Sequence, residues 1–271
     1  MEPRRYRCRM TQDAQVELKQ NVLRALSTVT DPELDEPITD LGFVKDLSIS
    51  NDGRVSLDLV TSTFWCSPNF VYMMLEEARD VVSKLAGIHE VRVHLDGHHD
   101  SDRINEAINS GKSFSDCYGA EANGNLAELN RMIRTRALRS RLHSMATTLS
   151  KHGFSPEQLL DLSQKDVTSD GDSVVVTSAG VTVSISDSED VRRVSRYLRF
   201  RERIKPRDGP LVVWDLDGNP PKRDGFGSAL KEARLAGANF SLNAELCRAL
   251  LEARIGANHL KPSESRPQQQ P

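Results

Sequence analysis

Val55-Ser56-Leu57-Asp58-Leu59-Val60-Thr61-Ser62-Thr63-Phe64-Trp65-Cys66-Ser67-Pro68-Asn69-Phe70 changes its period midway. Val55, Leu57 and Leu59 alternate with Ser56 and Asp58, the two-residue repeat of a strand with one buried face. That strand is expected to end near Thr61. Ser67 and Pro68 then suit an N-cap and first helical position. Beyond them Phe70, Met74, Ala78, Val81 and Leu85 recur at helical spacing, and Gly87 is the expected stop. Upstream, residues 43–50 alternate in the same way and lead into Asn51-Asp52-Gly53, a hairpin turn. Leu18, Val22, Ala25, Leu26 and Val29 predict an amphipathic helix over roughly Asp13 to Ser27, followed by an extended loop. Downstream, Val91, Val93 and Leu95 predict a third strand, beside the one that leads to Cys66. A short helix near Asp102 to Asn109 follows it. The order α-β-β-α-β-α predicts a compact α+β sandwich.

The whole chain has 271 residues, with 38% hydrophobic and 28% charged residues, enough to bury a real core. Its aromatic content of 5% argues against broad stacking surfaces for single-stranded nucleic acid. A net charge of −3 gives no global field toward nucleic acid or membrane. No apolar run approaches the roughly 20 residues that span a bilayer, and the arginines of Met1 to Met10 precede no apolar stretch. The four cysteines, Cys8, Cys66, Cys117 and Cys247, match no disulfide framework or paired zinc motif. A cytoplasmic protein with free thiols is expected, with no membrane partner.

Cys66 stands at a strand-to-helix turn. Free amides and the positive end of the helix dipole stabilise a thiolate there, so its pKa is expected below the ordinary ~8.5. Such a thiolate binds a soft metal or accepts a cluster. The alternative is a cysteine that fills space beneath the helix, and position alone does not choose.

Further residues bear on that choice. Asp31-Pro32-Glu33-Leu34, Ile38-Thr39-Asp40-Leu41-Gly42-Phe43-Val44, the strand-DG-strand unit and the Thr61 to Cys66 turn occur in that order. Over about residues 14 to 100 the chain resembles the metal–sulfur (iron–sulfur) cluster assembly family, which includes SufT-like and PaaD-like proteins. The resemblance implies a non-enzymatic assembly or maturation factor, with Cys66 as its reactive residue. Asp31, Glu33, Asp40, Thr61 and Thr63 would support that residue. It also implies transient iron or iron–sulfur cluster as cargo. The partner would be a client metalloprotein, such as a multicomponent oxygenase, or the cluster-assembly machinery; a homodimer is a further possibility. Two features depart from the family pattern. Ser67 separates Cys66 from Pro68, and Asp96-Gly97-His98-His99-Asp100 replaces an Asp-Pro-Pro-Trp-like segment.

His98 and His99 end the strand expected beside the one leading to Cys66. Two imidazoles, a thiolate and a carboxylate would suit iron or zinc; the plainer reading is a polar loop cap. Cys117, just past Phe114, is either a second thiolate over the site or an inert loop cysteine. Cys8 and Cys247 have no supporting context.

The C-terminal half carries other patterns. A long helix is expected from about Asn125 to Ser150, with six basic residues from Arg131 to Lys151 and no acid between those two. A helix near Ser155 to Leu162, a hairpin of 174–176 and 181–185, and a basic helix from Asp187 to Ile204 follow. Eight Lys/Arg and one acid lie between Arg192 and Arg207. Arg134, Arg192, Arg193 and Arg196 are therefore candidate docking residues for an acidic partner surface. A DNA-binding regulator or scaffold of winged-helix outline is the alternative. Leu211 to Trp214 is the last strand candidate, before two short helices. Asp215-Leu216-Asp217-Gly218 imitates a phosphatase nucleophile motif, yet the 53 residues after Gly218 are too few for that fold. It also fails as a calcium loop, with Pro220 where glycine is required. The expected organisation is a domain over 1–118, a mainly helical domain with a small hairpin over 119–260, and a disordered tail over 261–271.

Overall fold

In the computed structural model, residues 12–121, 126–178, 180–206 and 208–259 are described. Cys8, Ala179 of the expected hairpin turn, Arg207 and the tail 261–271 lie outside them. The chain forms two compact units. One comprises the residues up to Leu126 together with those from Leu242, and the other comprises Ala127–Ser241.

The first unit opens with α1 (Gln12–Leu26), β1 (Val44–Ile49) and β2 (Arg54–Val60). It continues with α2 (Pro68–Ser83), β3 (Glu90–Asp96), α3 (Ser101–Ser110) and the short α4 (Phe114–Tyr118). β1 pairs antiparallel to β2 through the Asn51-Asp52-Gly53 turn, and β2 pairs parallel to β3. A parallel pair needs a crossover, which α2 supplies. Alternation puts Val55, Leu57 and Leu59 of β2 and Val91, Val93 and Leu95 of β3 inward. There they meet Val22 and Leu26 of α1 and Val71, Met74, Leu75, Ala78 and Val82 of α2. A buried aliphatic chain of this size contributes about 1.5–3 kcal/mol. The sandwich is thus as expected, with α2 ending a turn before Gly87.

The parallel pairing places the site. β2 and β3 point the same way, so the loops leaving their carboxyl ends, Thr61–Cys66 and Gly97–His99, emerge at one edge. Open sheets bind their ligands outside such strand ends.

The second unit contains most of α5 (Leu126–Lys151), α6 (Pro156–Asp161), β4 (Val167–Ser169), β5 (Val174–Ser178), β6 (Val181–Ile185) and α7 (Ser188–Arg201). The three strands form an antiparallel sheet in the order β4-β5-β6. β4, only three residues long, was not expected. Asp187 caps α7 by accepting from the amides of Glu189 (3.1 Å) and Asp190 (3.0 Å).

Two expectations are corrected here. Leu211–Val213 are buried but form no strand. Their main chain is taken elsewhere: Leu211 N–H donates to Leu162 O, Tyr197 Oη donates to Leu211 O, and Val213 N–H donates to Tyr197 Oη. The two short helices expected at the C-terminus are one long helix, α8 (Phe226–His259). Its Ala, Leu, Glu and Arg content outweighs its glycines.

Arg201 organises this unit. Fully buried, it donates from Nε to Pro210 O (3.1 Å), from Nη1 to Ile204 O (2.6 Å) and from Nη2 to Pro206 O (3.0 Å) and Pro210 O (2.9 Å). Asp215 accepts from the amides of Asp217 and Asn219, and Asp217 pairs with Arg131, so the stretch resembling a phosphatase motif is a tied-down turn. Of the docking candidates, Arg192 and Arg134 are exposed, and Arg134 lies 5.9 Å from the Phe200 ring. Arg193 pairs with Glu189 one helical turn away, and Arg196 is half-buried.

Candidate cysteine site

Cys66 is held from three sides. Thr61, buried at the end of β2, donates from Oγ1 to Thr63 O at 2.8 Å and shapes the descent toward the cysteine. On the next side Ser67 is the N-cap residue of α2, and its carbonyl accepts from Phe70 and Val71. Its hydroxyl turns to Asn69 rather than capping the helix.

The third side is His98, buried in the loop after β3. Its Nδ1 accepts from the Asp100 amide (3.1 Å), which leaves the proton on Nε2 to donate to the Cys66 carbonyl (2.8 Å). Burial pushes the His98 pKa below the ordinary range, so the ring is neutral. Both ring nitrogens are thereby engaged. His98 holds the main chain of Cys66 and offers no free lone pair to a metal in this arrangement.

His99 goes a different way. Its amide donates to Phe64 O (3.0 Å), and its ring stacks on Trp65 with centroids 4.9 Å apart. Phe64 packs edge-on against Trp65. Trp65 is 75% exposed and Phe64 47%, so an aromatic patch faces solvent directly beside the cysteine.

The thiol itself departs from expectation. Burial pushes Cys66 up to about 12, and the negative charges of Asp31 and Glu33 push in the same direction. A hydrogen bond from the Ser67 amide opposes them without prevailing. The helix-start effect on which a lowered pKa was expected amounts to a fraction of a kcal/mol to about 1 kcal/mol. Desolvation beside two carboxylates exceeds it. Cys66 is a protonated thiol at neutral pH, and a thiophilic ion must displace that proton to bind.

Asp31 is buried, with Oδ1 accepting from Glu33 N (2.8 Å) and Leu34 N (2.9 Å). Burial raises its carboxyl to about 6, and those amides only partly offset it. Glu33 is exposed beside it, whereas Asp40 is exposed on the following turn, where Thr39 donates to it at 3.0 Å. Gly42 in that turn has φ +74°, a conformation that favours glycine. Cys117 belongs to another cluster. It lies on α4, its thiol facing Arg103 O at 3.7 Å and its carbonyl accepting from Arg103 Nε at 2.9 Å.

The C-terminal end of α8 also reaches this edge. Ala244 and Leu251 are buried in the core of the first unit. One turn-spaced face of the helix carries them with Cys247, Arg248 and Arg254. Arg248 pairs with Glu36. Arg254 donates from Nη1 to Thr61 O (2.6 Å) and from Nη2 to Gly97 O, joining the two loops that hold Cys66 and His98. Cys247 packs, half-buried, against the same core as Cys66. Sequence reading set Cys247 aside for lack of local context. The spacing of Ala244, Cys247, Leu251 and Arg254 on one helical face was the available signal.

Among the described residues, no three His, Cys, Asp or Glu side chains are gathered closely enough to hold a metal ion. The expected set of Cys66, His98, His99 and Cys117 is therefore not brought together as one metal centre. No helix among them is long and apolar enough to cross a membrane.

Residues 19–95, from α1 through β3, match the family described as iron–sulfur cluster assembly protein. An uncharacterised protein of Methanocaldococcus jannaschii, MJ1129, is 33% identical over 90 residues, a third of this chain and 93% of that protein. The Fe-S protein maturation auxiliary factor YitW of Bacillus subtilis is 28% identical over 78 residues, 29% of this chain and 74% of that protein. The match takes in the Asp31 loop, Cys66 and the strands that position them, and stops short of His98 and the whole second unit. On its first unit, this chain belongs to the iron–sulfur cluster assembly protein family.

Proposed function

We propose that the chain is a non-enzymatic assembly or maturation factor that acts through Cys66 on a client metalloprotein, carrying iron or an iron–sulfur cluster transiently. The observation that carries this reading is the fixed main chain of Cys66, with His98 on its carbonyl and α2 beginning two residues later. Its thiol lies near the carboxylates of Asp31 and Glu33. The maturation role in the name of YitW supports the same reading.

The incompleteness of the site suits a carrier. A cluster or ion held by too few protein ligands keeps positions open for the client's own cysteines, and transfer proceeds by ligand exchange. The raised thiol pKa acts in the same direction, since protonation of Cys66 helps the cargo leave. Trp65 and Phe64, exposed beside Cys66, form the surface against which the client rests. In the second unit, Arg134, Arg192, Arg193 and Arg196 are separate docking residues for an acidic client face. A metal-dependent oxygenase is one client class. We place the protein in the cytoplasm, where thiols stay reduced.

The test is transfer. Wild type and Cys66→Ala are loaded anaerobically with ferrous iron and sulfide, then mixed with an apo-ferredoxin, whose cluster spectrum is followed. The wild type speeds acceptor maturation and Cys66→Ala does not. Equal rates overturn the reading.

A further inference from the structure

Cys247 reaches the Cys66 site from 181 residues further along the chain, and three separate contacts hold its helix there. Ala244 and Leu251, one turn to either side, are buried in the same core that Cys66 packs against. Arg248 is anchored on Glu36. Arg254 clamps Thr61 O and Gly97 O. Cys247 itself packs, half-buried, against that same core, as Cys66 does.

The two sulfurs share one electrostatic environment. Asp31 and Glu33 act on both thiols, and Cys247 acts on Cys66. Both cysteines are half-buried, so each is open to a small ion. Cys117, engaged with Arg103, is the remaining free cysteine among the described residues.

We infer that Cys247 is a second thiol of the Cys66 site, delivered by the C-terminal helix, so that a soft, low-coordinate cation or one edge of a cluster is held between two sulfurs. This deepens the reading of Cys66 as the carrier site and rests on it. Soft thiolates select monovalent copper, zinc and iron–sulfur clusters. Because no third His, Cys, Asp or Glu is gathered among the described residues, an ion that accepts two ligands is the fitting probe. Binding copper(I) forms two copper–sulfur bonds and releases two protons to solvent, with no change of oxidation state. The second sulfur binds intramolecularly, which strengthens the hold by about a hundredfold over one thiolate.

The experiment is anaerobic competition of the full-length protein for copper(I) against a chromophoric chelator. Wild type and Cys117→Ser are expected to withdraw one equivalent with the same affinity. Cys66→Ser and Cys247→Ser are each expected to fall by about a hundredfold. A Cys247→Ser protein that competes as well as the wild type overturns the inference. If Cys66→Ser still falls in that case, the carrier reading stands without it; if both variants match the wild type, the two fail together. A second measurement needs no variant. In the wild type, bound copper(I) should protect Cys66 and Cys247, but not Cys117, from N-ethylmaleimide, as read by peptide mass. Protection of Cys66 without Cys247 refutes the two-thiol site.

Discussion

His98 Nε2–H donates to the carbonyl of Cys66 across 2.8 Å, and the Asp100 amide fixes the tautomer by donating to Nδ1. A histidine from the loop after β3 therefore holds the main chain of a cysteine from the loop after β2. Replacing it by alanine leaves a part-buried carbonyl and a part-buried amide without this partner. His98→Ala should lose about 1–3 kcal/mol in urea denaturation, and His98→Gln, which keeps an N–H donor, should lose less. The pH dependence follows from the lowered pKa of His98. The folded state binds this proton less readily than the unfolded chain. The histidine therefore costs no stability above its unfolded pKa, near 6.5, and stability falls as pH drops below that value. The slope should vanish in His98→Gln.

Asp31 titrates with the opposite sign. Its folded carboxyl is raised from the usual carboxylate range to about 6, so the fold favours the protonated form. Its contribution is fully present below about pH 4 and is lost as pH rises through about 6. Asp31→Asn keeps an oxygen for the amides of Glu33 and Leu34 and removes the charge. It should gain about 2 kcal/mol at pH 8 and lose the slope between about pH 4 and 6. The Cys66 thiol pKa should fall at the same time, so iodoacetamide modification at pH 8 should quicken by about three- to tenfold.

Arg254 joins the carbonyls of Thr61 and Gly97. Arg254→Met keeps the apolar stem and removes both bonds. A cost of about 1–3 kcal/mol is expected, with faster hydrogen exchange from Thr61 to Cys66 and around Gly97. Unchanged exchange in both loops would mean that the helix end does not brace them.

In the second unit, Arg201 should tolerate neither Lys nor Met. Its fork serves three different carbonyl oxygens from full burial, and a lysine lacks that geometry. Each variant is expected to lose about 3 kcal/mol or more in chemical denaturation. A loss under about 1 kcal/mol would refute the organising role given to this arginine.

The first unit was legible because its signals are local and periodic. The alternation in β1, β2 and β3, the Asp52-Gly53 turn and the Ser67-Pro68 helix start each fix an element within a few residues of itself. The adjacency of β2 and β3 followed from the order of elements, and with it the meeting of the Cys66 and His98 loops. The charge state of Cys66 was not legible. It depends on burial and on Asp31 and Glu33, more than 30 residues away, rather than on the helix start beside it. Cys247 was hidden for the same reason, since everything that gives it meaning lies in another part of the chain. Leu211–Val213 has the apolar run of a strand, but the Tyr197 hydroxyl takes the positions a ladder would use.

Anaerobic reconstitution with ferrous iron and sulfide, followed by iron and sulfide analysis of wild type and Cys66→Ala, tests the central claim most directly. The wild type should retain iron and sulfide with sulfur-to-iron charge-transfer absorbance, and Cys66→Ala should retain neither. Equal iron and sulfide in the two proteins, with identical spectra, would contradict it.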